Sequence, residues 1–364
     1  MSKEYGKGRM TKLRVGIIGS TGVIGMQLTR LLFEHPRVGK IIPMSTRLAG
    51  HFFSSLHYTF RDMSSLRIEN ETVERTRGCD ILFVCKMTDA VRQMLAELHD
   101  LRVIDSQNTN CLVIDITPEN RASIKSNQHE KGNSMSALFY TCIPEINIKG
   151  LTHNTWISAP GCVPTAVSLG LWPLLKSGMI VSSRIIVDVK VASSGAGNSN
   201  PGYAQLHQNR SGGVRVYKVQ QQHRHAEELV DFLFSVSGEK LELSLNVFSV
   251  DMTRGISAAI YFQTSPSNSE SQIRKLYRDT YRNKSTVRIL SGKDSPERYP
   301  NPKWLRGTGL CDIAISIDKT LGQGLIIVAI DNLMKGGASQ ALQLMNEVIG
   351  CGNYSGIPLT PIYP

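Results

Sequence analysis

No stretch of the 364 residues approaches the ~20 uninterrupted apolar residues that a bilayer span requires. The opening MSKEYGKGRM also lacks the apolar core of a signal peptide. A soluble, cytoplasmic protein with no membrane partner is expected. Seven cysteines (Cys79, Cys85, Cys111, Cys142, Cys162, Cys311, Cys351) are scattered, with no CxxC pair and no Cys/His cluster at metal-ligand spacing. That pattern argues against a structural metal and for a reducing compartment. Internal repeats and low-complexity blocks are missing too, as is any basic run interleaved with aromatics of the kind that marks nucleic-acid binding. Lys and Arg outnumber Asp and Glu 41 to 30, a net charge of +11, so the excess is left to a solvated surface or to an anionic substrate or partner. A nucleic-acid binder would rest on net charge alone and would need strongly salt-dependent binding.

What is present is ordinary globular composition, 41% hydrophobic and 20% charged, in a chain long enough for two domains. Residues 1–10 are polar and glycine-bearing and read as a flexible tail. Thereafter strand and helix alternate. Leu13 to Ile18 is an apolar, β-branched run, Val23 to Phe33 a helix, and Ile41 to Met44 a second strand. Asp80 to Cys85 reads as a strand, followed by a helix with Val91, Met94, Leu95 and Leu98 on one face. Val103 to Asp105 and Trp156 to Ser158 continue the pattern. Such alternation predicts an α/β architecture with a parallel, doubly wound sheet over residues 11–160.

After residue 160 the texture changes. Ile185, Val187, Val189 and Val191 alternate with Ile186, Asp188 and Lys190, as do Ile256, Ala258, Ile260 and Phe262, and Ile313, Ile315 and Ile317. This period of two predicts half-buried strands of a mostly antiparallel sheet in an α+β domain over 161–330. Helices are expected at about His225 to Val236 and Gln272 to Arg282, and surface loops at Ser265 to Glu270 and Ser291 to Pro302. A last helix, about Ala338 to Ile349, is expected to return to the first domain.

Chemistry begins at Gly19-Ser20-Thr21-Gly22-Val23-Ile24-Gly25, between the first strand and the first helix. Glycines there admit a pyrophosphate to the backbone, and the helix start offers unpaired N–H groups, so this is a dinucleotide turn of Rossmann type; a plain tight turn is the alternative. Beyond the second strand stand Ser45-Thr46-Arg47. Hydroxyls and an Arg suit a 2′-phosphate, whereas an acidic residue would suit the free ribose, so NADP (NADPH) is the expected cofactor. Cys162 lies in Ala159-Pro160-Gly161-Cys162-Val163-Pro164-Thr165-Ala166, a turn before a helix expected from Pro164. The positive end of a helix favours thiolate, making Cys162 a candidate nucleophile; the alternative is a small buried hydrophobe. In His223-Arg224-His225-Ala226-Glu227-Glu228-Leu229, Glu228 shares a helix face with His225. It can orient His225 as a general acid or base, or both can be surface charges.

Taken in order, GSTGVIG, IPEIN (143–147), APGCVPTA, SSGAG (193–197), HRHAEEL, MTRG (252–255) and DNLMKGGASQALQLMN (331–346) resemble the N-acetyl-gamma-glutamyl-phosphate reductases, relatives of aspartate-semialdehyde dehydrogenase, from about Leu13 to Gly350. The resemblance implies that Cys162 is the nucleophile, His225 the acid/base with Glu228 behind it, and that Ser194 and Asn332 contact the cofactor, Asn332 at the nicotinamide amide. It further implies that residues 331–364 complete the nucleotide domain, that 161–330 serves catalysis and dimerisation, and that the protein is a homodimer or homotetramer. The implied reaction is NADPH-dependent reduction of an acyl phosphate to a semialdehyde through a cysteine thioester, in amino-acid biosynthesis.

Departures from the family pattern bear on the substrate. Where the family reads like DLSADFRL after the fourth strand, Asp105 to Leu112 places Cys111 at the expected Arg, so an anion-binding residue is missing there. Gly309 replaces a usual Asn, and Asp251 a proline. The segment His207 to Tyr217 resembles the branch whose substrates are tethered to a small acidic amino-group carrier protein in lysine or arginine biosynthesis, which makes Arg210 and Arg215 the expected substrate-binding residues. Alternatives are the same chemistry on a carrier-linked aminoadipyl or glutamyl phosphate or a secondary-metabolite precursor, and a non-catalytic NADP-binding regulator.

Overall fold

The computed structural model describes residues 12–104, 111–121, 138–152, 155–197, 209–291 and 299–362. The expected tail and His207 and Gln208 lie outside the described residues. β1 (Leu13–Ile18) ends at Gly19, whose φ of +72° turns the chain into α1 (Val23–Phe33) and back through β2 (Val38–Met44). Next come α2 (Val73–Arg77), β3 (Ile81–Val84), α3 (Asp89–Ile104), β4 (Leu112–Asp115), β5 (Phe139–Thr141), α4 (Pro144–Asn147) and β6 (Trp156–Ser158). Among the described residues the sheet order is β2-β1-β3-β4-β6-β5, and every ladder is parallel. Covered on both faces, β3 and β4 are continuous buried runs without alternation.

The fourth strand is not Val103 to Asp105. Val103 lies in α3, and the strand is Leu112–Asp115. The tripeptide Val-Ile-Asp occurs twice, at 103–105 and 113–115. Val103 and Ile104 of the first copy continue the helix whose Val91, Met94, Leu95 and Leu98 are buried, whereas the second copy follows a leucine and is buried on both sides. The register of the family pattern moves with the strand. The Arg expected six residues after the strand aspartate is Arg121, counted from Asp115, so no arginine is missing, and Cys111 is a buried residue leading into β4.

From the end of β6 the chain enters α5 (Cys162–Ser177) and then β7 (Arg184–Val191), β8 (Val214–Lys218), α6 (Arg224–Ser237), β9 (Glu242–Val250), β10 (Ile256–Gln263), α7 (Glu270–Thr280), β11 (Val287–Leu290), β12 (Cys311–Asp318), β13 (Gln323–Ile330) and α8 (Ser339–Val348). The second sheet runs β11-β12-β13-β10-β7-β9-β8. It is mixed: β7 with β9 and β11 with β12 are parallel, and the other ladders antiparallel. Alternate residues Ile185, Val187, Val189, Leu243, Leu245 and Val247 bury against α5, α6 and α7, each contributing about 1.5–3 kcal/mol by leaving water. α5 comes close at Gly170, where a methyl group would lie 2.8 Å from Ile260 Cδ1 and 2.9 Å from Val328 Cγ2. α8 packs its Ala341, Leu342, Leu344 and Met345 with Val15, Ile17 and Leu28 of the first sheet's core. Nucleotide turn, α5 and the turn before α8 therefore meet at one junction.

Candidate active site

At the first βα turn the backbone leaves no room for side chains. A methyl group on Gly25 would collide with the Gly19 carbonyl and lie 2.7 Å from Ser20 Cα, and one on Gly19 would lie 2.6 Å from Lys86 Cβ. Gly22 caps α1 without a side-chain acceptor, so the N–H groups of Val23 and Ile24 at the helix start have no partner within the helix and suit a phosphate. Ser20 Oγ donates to Met44 O at 3.0 Å, and Thr21 Oγ1 and Ser45 Oγ lie 3.3 Å apart. These bonds tie the turn to the end of β2, beyond which Thr46 and Arg47 are exposed. Glu71, which sequence reasoning missed, accepts a bond from Gly19 N at 3.3 Å. At the ends of β7 and β13, Asn332 Nδ2 donates to Ser194 Oγ at 3.0 Å while its Oδ1 accepts from Gly255 N at 2.7 Å, which fixes the amide's orientation.

Cys162 opens α5, with Gly161 as the extended N-cap. Glu228 of α6 reaches this point from the other side of the junction: Oε1 accepts from Gly161 N at 2.6 Å, and Oε2 pairs with Arg121 Nη1 at 3.0 Å. Arg121 also donates through Nε to Ala159 O at 3.1 Å and through Nη2 to Ile116 O at 2.9 Å. Asp115 shapes the loop that carries it, accepting from Thr117 N, Thr117 Oγ1 and Asn120 Nδ2 at 2.7–2.9 Å. His225 Nε2 lies 3.9 Å from Glu228 Oε2, too long for a hydrogen bond but within ion-pair range if the ring is protonated. A methyl group on Gly161 would sit 2.7 Å from Arg121 Nη1 and 2.8 Å from His225 Nε2, so both side chains press on the residue before Cys162.

The electrostatics differ from the simple helix-dipole expectation. Burial pushes the Cys162 thiol above its ordinary value, although Arg121 and the Val163 N–H pull the other way. Burial also holds His225 well below the usual histidine range, helped by His223, Arg121 and Arg224. The resting pair is therefore a thiol and a neutral imidazole. A neutral imidazole can take the thiol proton as the sulfur attacks, the division of labour a cysteine nucleophile requires.

The buried His225 also makes stability depend on pH. His225 is depressed in the folded protein, so the unfolded chain binds more protons as pH falls below ~6.5, its ordinary value. The contribution is complete above that value and is lost on acidification towards the folded pKa, at a rate of about 1.4 kcal/mol per pH unit. Urea unfolding at pH 7, 6 and 5 is expected to show a steeper loss for the wild type than for His225→Gln. Parallel curves would contradict it.

Of the expected substrate residues, Arg210 is buried. Its Nε donates to Ser249 Oγ and its Nη2 to Val191 O at 3.1 Å, while Nη1 is buried without a partner among the described residues. The replacement of a proline by Asp251 has a local reason, since its Oδ2 accepts from Gly212 N at 2.8 Å and closes the turn after Arg210. Gly309 has one too: a methyl group there would lie 2.5 Å from Ile357 Cγ2. Arg215 is exposed on β8 opposite Ser249. Both arginines thus gather at the end of β7 and β9 that leads to Ser193 and Ser194. Sequence reasoning missed Arg121, although its spacing from a strand aspartate was available once the right copy of Val-Ile-Asp is chosen.

A parallel sheet with a glycine dinucleotide turn, joined to a second sheet domain that presents a cysteine at a helix start, defines a dinucleotide-dependent oxidoreductase. The chain belongs to the semialdehyde dehydrogenase family: the model for its NAD binding domain matches residues 14–152, and that for its dimerisation domain residues 162–332. An N-acetyl-gamma-glutamyl-phosphate reductase of Pelobacter propionicus is 32% identical over 97% of this chain and 100% of its own length. A Cenarchaeum symbiosum protein named for LysW-L-2-aminoadipate/LysW-L-glutamate phosphate reduction is 30% identical over 97% of this chain and 100% of its own. In fold, the chain is similar to the solved aspartate semialdehyde dehydrogenase with NADP from Candida albicans, with a TM-score of 0.68 and 15% identity over 94% of this chain and 99% of that one.

Proposed function

We propose that this enzyme uses NADPH to reduce an acyl phosphate, N-acetyl-gamma-glutamyl phosphate or a close analogue, to the semialdehyde with release of phosphate. The convergence of Cys162, His225, Glu228 and Arg121 on Gly161, beside a dinucleotide turn, carries the reading. Cys162 Sγ attacks the acyl carbonyl, His225 takes the thiol proton, and the carbonyl re-forms as phosphate leaves, giving a thioester. Bound NADPH supplies the hydride that reduces the thioester carbonyl. Collapse of the resulting thiohemiacetal, with His225 moving the proton, frees the aldehyde and restores the cysteine. Backbone N–H groups at the start of α5 suit the oxyanion. A non-catalytic regulator would not need this machinery intact.

NADP rather than NAD is supported by the Thr21–Ser45 hydroxyl pair with exposed Arg47 beyond it. Arg47→Glu is expected to raise the KM for NADPH much more than that for NADH, because a repelling carboxylate replaces a cation beside the 2′-phosphate. Equal losses with both cofactors would remove Arg47 from that role.

Two relatives' names leave open whether the acyl group arrives free or on a carrier, and the +11 charge favours an acidic presenting partner. Phosphate-dependent oxidation of a panel of semialdehydes, free and carrier-linked, is the deciding assay. With Arg210 largely occupied by Ser249 and Val191, Arg215 is the more available cation. Arg215→Ala is expected to lower kcat/KM by roughly ten- to a hundredfold, the worth of one charge-assisted bond of ~1.5–3 kcal/mol, with cofactor affinity unchanged. Full activity in this variant would return substrate binding to other groups. Two copies are proposed to meet through the uncovered face of the second sheet, where Ile186 and Tyr261 are exposed.

A further inference from the structure

Between β13 and α8 the chain makes a π-helical turn, Met334–Ala338, closed by Gly336 N to Asp331 O at 3.0 Å and Ala338 N to Leu333 O at 2.9 Å. Single π-turns of this kind interrupt a helix at some local cost and occur often at functional sites. Here the two glycines of the turn face different parts of the junction. A methyl group on Gly336 would lie 2.5 Å from Cys162 Cβ and 3.0 Å from its Cα, and one on Gly337 would lie 2.7 Å from Ile24 Cδ1 in the dinucleotide helix. The backbone of this turn therefore forms a wall against the nucleophile's own side chain.

Lys335, between Met334 and Gly336, is wholly buried. Its Nζ lies 2.6 Å from Glu145 Oε1 and 2.9 Å from Gln343 Oε1. Glu145 comes from α4 in the first half of the chain, and its Oε1 also accepts from Thr286 Oγ1 at 2.5 Å and Gln343 Nε2 at 2.9 Å. Burial alone would raise the Glu145 carboxyl, but Lys335 and these bonds outweigh it and hold it below the usual carboxylate range. The Glu145 carboxylate is thus held in its ionised form opposite the Lys335 side chain. A buried ion pair is a poor source of stability, since apolar residues of similar volume commonly do as well or better, so its presence points to a geometric duty.

We propose that the Glu145–Lys335 pair positions the nucleophile, pinning the π-turn so that the Gly336 backbone sets where the Cys162 sulfur points. This inference rests on the reading of Cys162 as the reactive cysteine. Neither Glu145 nor Lys335 touches substrate in this role. The action passes through the turn.

The test is a neutral double variant, Glu145→Gln with Lys335→Met, which removes both charges without stranding either. Circular dichroism and Tm report folding, steady-state kinetics give kcat and KM, and mass spectrometry of the Cys162 peptide follows its alkylation by iodoacetamide. The double variant is expected to fold, to bind NADPH as the wild type does, and to lose kcat by about a hundredfold, as a shift of about 1 Å at a reacting atom does. Cys162 alkylation should change at least about threefold while the reactivity of Cys351 stays put. A folded double variant with wild-type kcat and wild-type alkylation at Cys162 would overturn the proposal. If the double variant does not fold, Gln343→Leu takes one acceptor from Lys335 and keeps both charges; it is expected to shift alkylation at Cys162 in the same sense, and no shift there would overturn the proposal too. Alkylation is read without any substrate. A Cys162→Ala enzyme that remained active would sink the catalytic reading while leaving this positional measurement intact.

Discussion

Cys162→Ala is expected to leave no turnover above a few per cent of wild type while NADPH binding stays within about twofold. In the proposed mechanism the cysteine supplies the covalent bond to the acyl carbon, and its described neighbours at the junction have other parts there: His225 moves the proton, Glu228 accepts from the Gly161 N–H, and Arg121 is a cation. Removing the nucleophile of a catalytic group that works as a unit costs about four or more powers of ten in kcat. The dinucleotide turn follows β1, separated from β6 by β3 and β4 in the first sheet, and is built from Gly19, Ser20, Gly25 and the Thr21–Ser45 contact, none of which uses the sulfur. Fluorescence titration with NADPH and initial rates on the same preparation separate the two effects. An Ala variant with more than a few per cent of activity would rule out the thioester route, and a matching loss of NADPH binding would show that the variant had lost its structure rather than its chemistry.

How much of this was written locally in the chain differs from residue to residue. β1, the glycine turn and α1 could be read because their signals are contiguous: an apolar run, a φ that only glycine takes easily, then helical spacing. Alternation in β7 and β10 could be read because one face of the sheet is covered and the other is not. Cys162 and His225 were legible as residue types in suggestive places. The protonation state of Cys162 was not, because burial outweighs the helix end and burial is set by α6 and the turn before α8. The strand at Leu112–Asp115 lost to an identical tripeptide ten residues earlier, and only the packing of α3 decides between them. Glu145 and Lys335 stand 190 residues apart, and no local pattern announces a pair at that distance.

Arg121→Ala is expected to lower kcat/KM by about a hundred- to a thousandfold and to lower Tm. The guanidinium donates to Ala159 O, Ile116 O and Glu228, so it ties the end of β4, the turn before Cys162 and α6 into one unit. Without it, the Glu228 carboxylate keeps the Gly161 N–H but loses its cation in a place where the side chain is only 9% exposed. Breaking one side of a buried pair costs about 3–5 kcal/mol, more than a surface bond would. Some of that loss appears as instability and some as a displaced Gly161, and a second variant divides them. In Arg121→Ala/Glu228→Gln the stranded charge is gone while the amide can still accept from Gly161 N, so Tm should recover more than activity does. Arg121→Lys should rescue little, because a single ammonium cannot reach three acceptors in the planar arrangement that Arg121 meets. Calorimetry and initial rates on the four proteins decide the matter. Arg121→Lys at wild-type rate would show that only a positive charge is needed near Cys162, and the arginine would then act through its field rather than by holding the turn.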